Sequence, residues 1–364
     1  MTPAQDRRWM QLALMIGRRG QGRVWPNPAV GCVVVQGGRV IGRGRTADGG
    51  RPHAEVVALS QAGVCAKGAT AYVTLEPCAH QGQTGPCSAA LIAAGVARVV
   101  VACTDPDPRV AGQGLAQLRA AGIAVDLGIC EAEARADHAG FFGRLVQQPF
   151  VTLKLASTLD GRIATAHGES QWITGPQART RVHAMRARHD AVMVGAGTAR
   201  DDDPMLTVRG MGAVPQPVRI VVSSGLDLPI DGQLARTATD TPVWLCHTAA
   251  DPDRIAAWQE RGAECIACEA EGGSVALRSV LSQLAQRGIT RIFCEGGGTL
   301  AAALMSANLV DDLVVFSAGA VMGSDGRPAV GPLRLDRLGD APRFDLSGVE
   351  RVGDDVMTRW HRQR

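Results

Sequence analysis

What most constrains the fold of this chain is a set of side chains that metal chemistry requires to meet. PHAEVVAL, which starts at Pro52, carries a histidine and a glutamate two residues apart. LEPCAHQGQTGPC, which starts at Leu75, carries two cysteines, each preceded by proline. Imidazole and thiolate are ligands that suit zinc. The pattern predicts that H-A-E opens one helix, that the first Pro-Cys ends a strand, and that the second opens the next helix. His53, Cys78 and Cys87 then supply three ligands, and the open fourth position marks a catalytic site rather than a structural one. Zinc in such a site lowers the pKa of its water towards about 7, so hydroxide is available at neutral pH.

Glu55 is expected to carry protons rather than to ligate. In a helix interior it would face away from His53, but at a first turn both side chains can border one cavity. It can then take a proton from the water and return it to a ring nitrogen and to departing ammonia, as in zinc nucleobase deaminases with H-x-E and P-C elements. Cys87 precedes a helix expected from about residue 88, whose N-terminus favours a thiolate there. A lone H-x-E or a lone cysteine pair is weak, and a structural zinc knuckle is the alternative. The joint pattern favours catalysis.

The whole chain has room for more than this site. Its 364 residues suggest two or three domains, and 46% hydrophobic against 4% aromatic residues suits α/β cores. A net charge of +3 with dispersed arginines argues against a nucleic-acid partner. The N-terminal MTPAQDRRWMQLAL has charges where a signal peptide needs an apolar run, and no stretch is apolar for long enough to span a membrane. Most cysteines, such as Cys32, Cys103, Cys246 and Cys294, fall in apolar strands. They read as buried hydrophobes in a reducing cytoplasm.

Periodicity predicts a helix over 3–19, a hairpin of strands 30–35 and 39–44 around Gly37-Gly38, and a helix over 53–61. Strands 70–75, 98–103 and 123–127 alternate with helices 88–94 and 114–121. A charged helix over 131–147 ends before Pro149. A second set follows, with strands near 151–155, 191–194, 219–222, 243–246, 291–294 and 313–316, and helices near 178–188, 252–262 and 275–286. Such alternation predicts sheets covered by helices on both faces, in domains 1–147 and 148–364. No G-x-G-x-x-G follows a strand and no Walker A motif occurs, so neither a Rossmann fold nor an NTPase is supported. Gly296-Gly297-Gly298 before Thr299 is either a tight turn or a place where backbone N–H groups meet a pyrophosphate. VGAGT is a second turn of that type.

HAEVVAL, TLEPCAHQGQTGPC and the upstream PNPAVGCVVV resemble the deaminase half of the bifunctional riboflavin-biosynthesis deaminase–reductases. The spacer AHQGQTGP replaces the Cys-x-x-Cys of cytidine and tRNA deaminases, and Gly85-Pro86 stands where the family usually has Pro-Pro. VTLKLASTLDGRIATAHGESQWITG, VGAGTARDDDPMLTVR and FCEGGGTLAAAL resemble the reductase half. The resemblance runs over roughly 5–360. It implies a cytidine-deaminase-like αβα sandwich followed by a dihydrofolate-reductase-like α/β domain. It implies zinc-dependent deamination of 2,5-diamino-6-(5-phospho-ribosylamino)pyrimidin-4-one, then NADPH-dependent reduction of the ribosyl group to ribityl by hydride delivery to C1′. It also implies a homodimer or higher oligomer associated through the reductase half.

Carried over by resemblance, Asn27 holds the base, although a turn residue between two prolines is the plainer reading. His80 and the 81–84 loop lie at the substrate rim. NADPH contacts fall on Ala156, Trp172, Thr198, Asp202, Ser224 and the turn and helix start Gly297, Gly298, Thr299, Leu300, Ala301, Ala302 and Ala303. The alternative for Trp172 is core packing. The phosphorylated substrate contacts Ser170, Arg186, Leu206, Arg209 and Glu295, and guanidinium forks suit phosphate. Lys154 and Asp202 either polarise the sugar or form a buried ion pair. Two other readings are a nucleotide or tRNA deaminase with a C-terminal binding module, and a non-enzymatic zinc scaffold. The cofactor-like motifs after residue 150 weigh against the first, and Glu55 against the second.

Overall fold

A computed structural model describes residues 2–81, 85–108 and 110–363. They form two compact units, Met1–Val146 and Gln147–Arg364.

The first unit runs α1 (Pro3–Gly17), β1 (Gly31–Gln36), β2 (Arg39–Arg45), α2 (Ala54–Ala62), β3 (Thr70–Val73), α3 (Cys87–Ala93), β4 (Arg98–Val101), α4 (Gln113–Ala120), β5 (Ala124–Leu127) and α5 (Glu131–Gly143). The helix expected to reach 147 ends earlier and tightens into a 3₁₀ turn over Arg144–Val146. The sheet order is β2-β1-β3-β4-β5. Strand β1 is antiparallel to both neighbours, whereas β3, β4 and β5 are parallel. A capping box between Thr2 and Gln5 starts α1, satisfying N–H groups a helix end leaves unpaired. Helix α2 lies directly on β2. A Cβ at Gly42 would stand 2.1 Å from the Ala58 carbonyl oxygen, and one at Gly44 2.5 Å from that of Ala54. Those two glycines therefore set the distance at which the start of α2, with His53 and Glu55, is held against the sheet.

The second unit begins β6 (Phe150–Thr158), β7 (Arg162–Ala164), α6 (Pro176–Arg186), β8 (Ala191–Gly195), α7 (Ala196–Asp202), β9 (Val218–Val222), α8 (Gln233–Arg236), β10 (Val243–His247), α9 (Pro252–Glu260) and β11 (Glu264–Ala267). It continues β12 (Ala270–Glu271), β13 (Ser274–Val275), α10 (Leu277–Gln286), β14 (Arg291–Cys294), α11 (Gly298–Ser306), β15 (Asp312–Ala318), β16 (Arg327–Pro328), β17 (Phe344–Val352) and β18 (Asp355–Arg362). Nine strands form one sheet in the order β11-β10-β9-β8-β14-β6-β15-β18-β17. It is parallel from β11 to β15 and antiparallel in its last two pairings. The apolar runs of β8, β9, β10 and β14 are buried, as a parallel sheet covered on both faces requires.

Asp190, 2% exposed, fastens β8 to β14. Its carboxylate accepts the Thr290 N–H at 2.8 Å, the Thr290 hydroxyl at 2.6 Å and the Arg291 N–H at 2.9 Å. From β8 the chain builds outward through β9, β10 and β11, while β14 continues to β6 and β15. Open α/β sheets bind ligands beyond the carboxyl ends of strands where the order reverses in this way.

Candidate active sites

In the first unit, His53 is the N-cap of α2, with φ −70° and ψ 160°. Cys78 lies in the loop after β3, and Cys87 is the first residue of α3. Their donor atoms all lie within 4.8 Å of one another. His53 Nδ1 stands 3.3 Å from Cys87 Sγ and 3.7 Å from Cys78 Sγ. Tetrahedral ligation at ordinary Zn–N and Zn–S lengths places those atoms about 3.5 Å apart, so the three residues fit zinc. The other ring nitrogen of His53, Nε2, is buried with no partner among the described residues.

Glu55 occupies the first turn of α2 and is 3% exposed. Burial pushes its carboxyl up to about 7. That is the range in which one group can both accept and return a proton at neutral pH. The Cys78 thiol is held down at about 4, chiefly by its hydrogen bond with Cys87 and also by that with His53. The Cys87 thiol is pushed up by Cys78 and by burial. The Cys87 backbone N–H points out of the helix end and donates to Cys78 Sγ at 3.3 Å.

A polar network that sequence reasoning missed pins the Cys78 loop. Glu76, 5% exposed, accepts the N–H groups of Gly112 and Gly114 at 3.1 and 3.0 Å where α4 begins. The Cys78 carbonyl accepts the Ser88 N–H at 3.2 Å and meets the Ser88 hydroxyl at 3.1 Å. Gln117 Nε2 donates to the Ala79 carbonyl at 3.3 Å. The available signal was Glu76 itself, an acid among apolar strand residues just before Pro77-Cys78. Asn27 packs against the turn that leads to His53: a Cβ at Gly50 would lie 2.0 Å from its Nδ2. His80 is exposed. Of the 81–84 loop, residues 82–84 lie outside the described residues.

In the second unit a cavity of about 830 Å³ opens at the carboxyl ends of β8 and β14. Its wall includes Lys154, Ala156, Ser170, Thr198, Asp202, Ser224, Glu295, Gly297, Gly298, Thr299, Leu300 and Ala303. Thr198 Oγ1 accepts the Gly297 N–H at 3.1 Å, joining the start of α7 to that of α11. The bare glycine turn lets backbone N–H groups reach this space. A cavity of this size at a helix N-terminus suits a phosphate-bearing dinucleotide.

The arrangement differs from expectation at several residues. Glu295 is gripped by Arg186 at 2.5 and 3.1 Å, through both carboxylate oxygens, and lies 3.9 Å from Lys154 Nζ. Burial works to raise Glu295, but Arg186 and Lys154 outweigh it and hold the carboxyl below its usual range. Burial also pushes the Lys154 amine down. Lys154 thus pairs with Glu295, while Asp202 hydrogen-bonds Ser170. Arg186 is no free fork for phosphate, because its third nitrogen donates to the Thr207 carbonyl at 2.8 Å. Ala301 and Ala302, 0% and 7% exposed, face the core rather than the cavity. Trp172 is 68% exposed, so it is not core packing, and Arg179 lies 4.6 Å over its ring. Leu206 is buried with φ 55°, and Arg209 is exposed with its N–H on His183 Nδ1 at 3.2 Å. Trp172, Arg186, Leu206 and Arg209 all stand outside the cavity wall.

Comparison with known proteins covers both units. The family model for the cytidine and deoxycytidylate deaminase zinc-binding region matches residues 3–103, and that for the RibD C-terminal domain matches 149–358. The riboflavin biosynthesis protein RibD of Escherichia coli is 43% identical, over 97% of this chain and 98% of that protein. The RibD of Aquifex aeolicus is 38% identical over 97% of each. Among solved structures, Acinetobacter baumannii RibD superposes with a TM-score of 0.89 at 38% identity, covering 100% of both chains. The Thermotoga maritima diaminohydroxyphosphoribosylaminopyrimidine deaminase/5-amino-6-(5-phosphoribosylamino)uracil reductase does so at 0.86 and 32%, covering 99% of both.

Proposed function

The chain belongs to the RibD family of bifunctional deaminase–reductases in riboflavin biosynthesis, and from that premise we propose which of its residues perform the two reactions. Residues 1–147 remove the C2 amino group of 2,5-diamino-6-(5-phospho-ribosylamino)pyrimidin-4-one. Residues 148–364 reduce the product to 5-amino-6-(5-phospho-ribitylamino)uracil.

His53 Nδ1, Cys78 Sγ and Cys87 Sγ hold zinc, which supplies an activated water when bound. Glu55 is the proton carrier: it accepts one proton from the attacking water and passes it to the pyrimidine ring nitrogen, then accepts the remaining hydroxyl proton and passes it to the leaving amino group. Its low exposure keeps bulk water from competing for those transfers. Asn27 and His80 border the base. NADPH supplies the hydride in the second unit. The backbone N–H groups of Gly298 and Thr299, at the start of α11, would hold its phosphates, with Ala156, Thr198 and Ser224 along the cofactor side of the cavity. Lys154 and Glu295 face the ribosyl group, Arg186 orients Glu295, and Arg209 contacts the substrate phosphate.

One observation carries this reading: three zinc-type donors converge beside Glu55, a carboxyl only 3% exposed at the first turn of α2. Purified protein given the diaminopyrimidine without NADPH should stop at 5-amino-6-(5-phosphoribosylamino)uracil, and with NADPH should proceed to the ribityl compound, as read by mass spectrometry. Reduction of the diamino compound before deamination would overturn the proposed order.

The oligomer belongs to this proposal. Edge strand β17 exposes Leu346 at 54% and Val349 at 64%, and the backbone N–H and C=O groups along a sheet edge favour association with a second copy. A homodimer through the reductase unit is the expected mass in solution. A cytoplasmic location is proposed for the same family reasons, and no helix among the described residues is long and apolar enough to cross a membrane.

A further inference from the structure

Between α7 and β9 the chain carries Leu206 and Arg209 on irregular backbone. Leu206, Thr207 and Val208 are buried, yet they lie in no helix or strand. Leu206 adopts φ 55°, a left-handed conformation that branched side chains seldom take and that persists only where the surroundings enforce it. Buried N–H and C=O groups need partners, and here side chains from other parts of the unit supply them.

Arg219, fully buried, donates from Nη1 to the Met205 carbonyl at 3.4 Å while bonding Thr237 and Thr241 behind it. Arg186 donates to the Thr207 carbonyl at 2.8 Å. Gln216 does more. Its Oε1 accepts the Val208 N–H at 2.7 Å and its Nε2 donates to the Val208 carbonyl at 3.2 Å. One side chain thus serves both backbone groups of Val208, as a neighbouring strand would. On the next residue, the Arg209 N–H donates to His183 Nδ1 at 3.2 Å. Gln216 is itself anchored two residues ahead of β9, whose first residue, Val218, donates its N–H to the Asp190 carbonyl at 2.9 Å.

We propose that Gln216, together with His183, is a positioning residue of the reductase: it fixes the backbone of Val208 and Arg209 so that the Arg209 guanidinium waits where the substrate phosphate arrives. This deepens, and rests on, the assignment of Arg209 to that phosphate. Arg209 is a long, exposed side chain. On an unheld loop, backbone freedom would be lost on binding in addition to rotamer freedom, and the clamp removes the first cost before substrate arrives. Losing the clamp therefore falls on the affinity for phosphorylated substrate, leaving hydride transfer and NADPH binding alone.

The test is steady-state reduction of 5-amino-6-(5-phosphoribosylamino)uracil by the full chain, varying that substrate and NADPH separately. Gln216→Ala is expected to raise KM for the phosphorylated substrate about tenfold, with kcat and the KM for NADPH changed by less than about twofold. Gln216→Glu keeps the acceptor for the Val208 N–H and loses the donor, so its KM should fall between those of the wild type and Gln216→Ala. Because Gln216 acts through Arg209, adding Gln216→Ala to Arg209→Ala should raise KM no further. Multiplying effects in that double variant, an equal fall in kcat, or a wild-type KM in Gln216→Ala overturns the proposal. A wild-type KM in Arg209→Ala would instead sink the phosphate assignment itself. If Gln216→Ala unfolds below the assay temperature, His183→Leu removes the acceptor of the Arg209 N–H and is judged by the same outcomes.

Discussion

Arg186 holds Glu295 by both carboxylate oxygens, across a sequence separation of 109 residues. Both side chains are nearly buried, at 11% and 10% exposure, so neither charge can turn to water if the other is removed. Removing one partner of a buried pair leaves an uncompensated charge and typically costs about 3–5 kcal/mol. Arg186→Ala should therefore lower the melting temperature of the reductase unit markedly, as read by calorimetry. Lys154, 3.9 Å from Glu295, compensates only part of that loss. Adding Glu295→Gln to Arg186→Ala should restore much of the melting temperature without restoring reduction. A double variant no more stable than Arg186→Ala would show that the pair is not what the destabilisation reports.

Glu55→Gln keeps the size of the side chain and removes its proton-accepting carboxylate. General acid–base transfer is worth about 10²–10⁴-fold, and here one residue serves successive transfers, so deamination should fall by at least the upper end of that range. Reduction of already deaminated substrate should stay near the wild-type rate, because Glu55 belongs to the first unit, which has its own core. Separate assays on the two pyrimidines check this. Normal deamination by Glu55→Gln would overturn the role assigned to that carboxyl.

Cys87→Ser replaces a thiolate ligand with a hydroxyl that zinc at neutral pH binds far less well. Metal analysis of the purified variant should give well below one zinc per chain. Because Cys87 also shares hydrogen bonds with Cys78 and Glu55, its loss disturbs the whole group. A full zinc complement with intact activity would move the ligand set elsewhere.

Where chemistry or burial is local, the sequence was enough to read. The three zinc-type donors announce themselves by residue type, and β8, β9, β10 and β14 announce themselves as apolar runs because both faces of a parallel sheet are covered. Other elements carry no such mark. Helix α7, AGTARDD, has no apolar stripe, and β17, FDLSGVERV, is an exposed edge strand whose polar residues hide its period. The Arg186–Glu295 grip was invisible because no local pattern pairs residues so far apart, and a guanidinium fork suits a carboxylate as well as a phosphate. The N–H of Cys87 also reaches Cys78 Sγ, which a linear reading of the helix start does not reveal.

His189 ties stability to pH. Its Nδ1 lies 2.8 Å from the Met185 carbonyl, which can only accept, so that nitrogen carries the ring proton. Its Nε2, 3.0 Å from Thr152 Oγ1, is then the acceptor of that hydroxyl. A second proton would place a charge in the core. Burial accordingly presses the pKa from 6.5 to about 3. The unfolded chain takes up a proton below about 6.5 while the folded chain resists until about 3, so acid favours unfolding. Stability present in full above 6.5 should be lost as the pH falls, by about 1.4 kcal/mol per unit until 3 is approached. The melting temperature of the reductase unit should drop steadily from pH 6.5 to 5. His189→Gln, whose amide can still donate and accept but does not titrate, should show a shallower slope over that interval. Parallel slopes in calorimetry for the two proteins would assign the acid sensitivity to other groups.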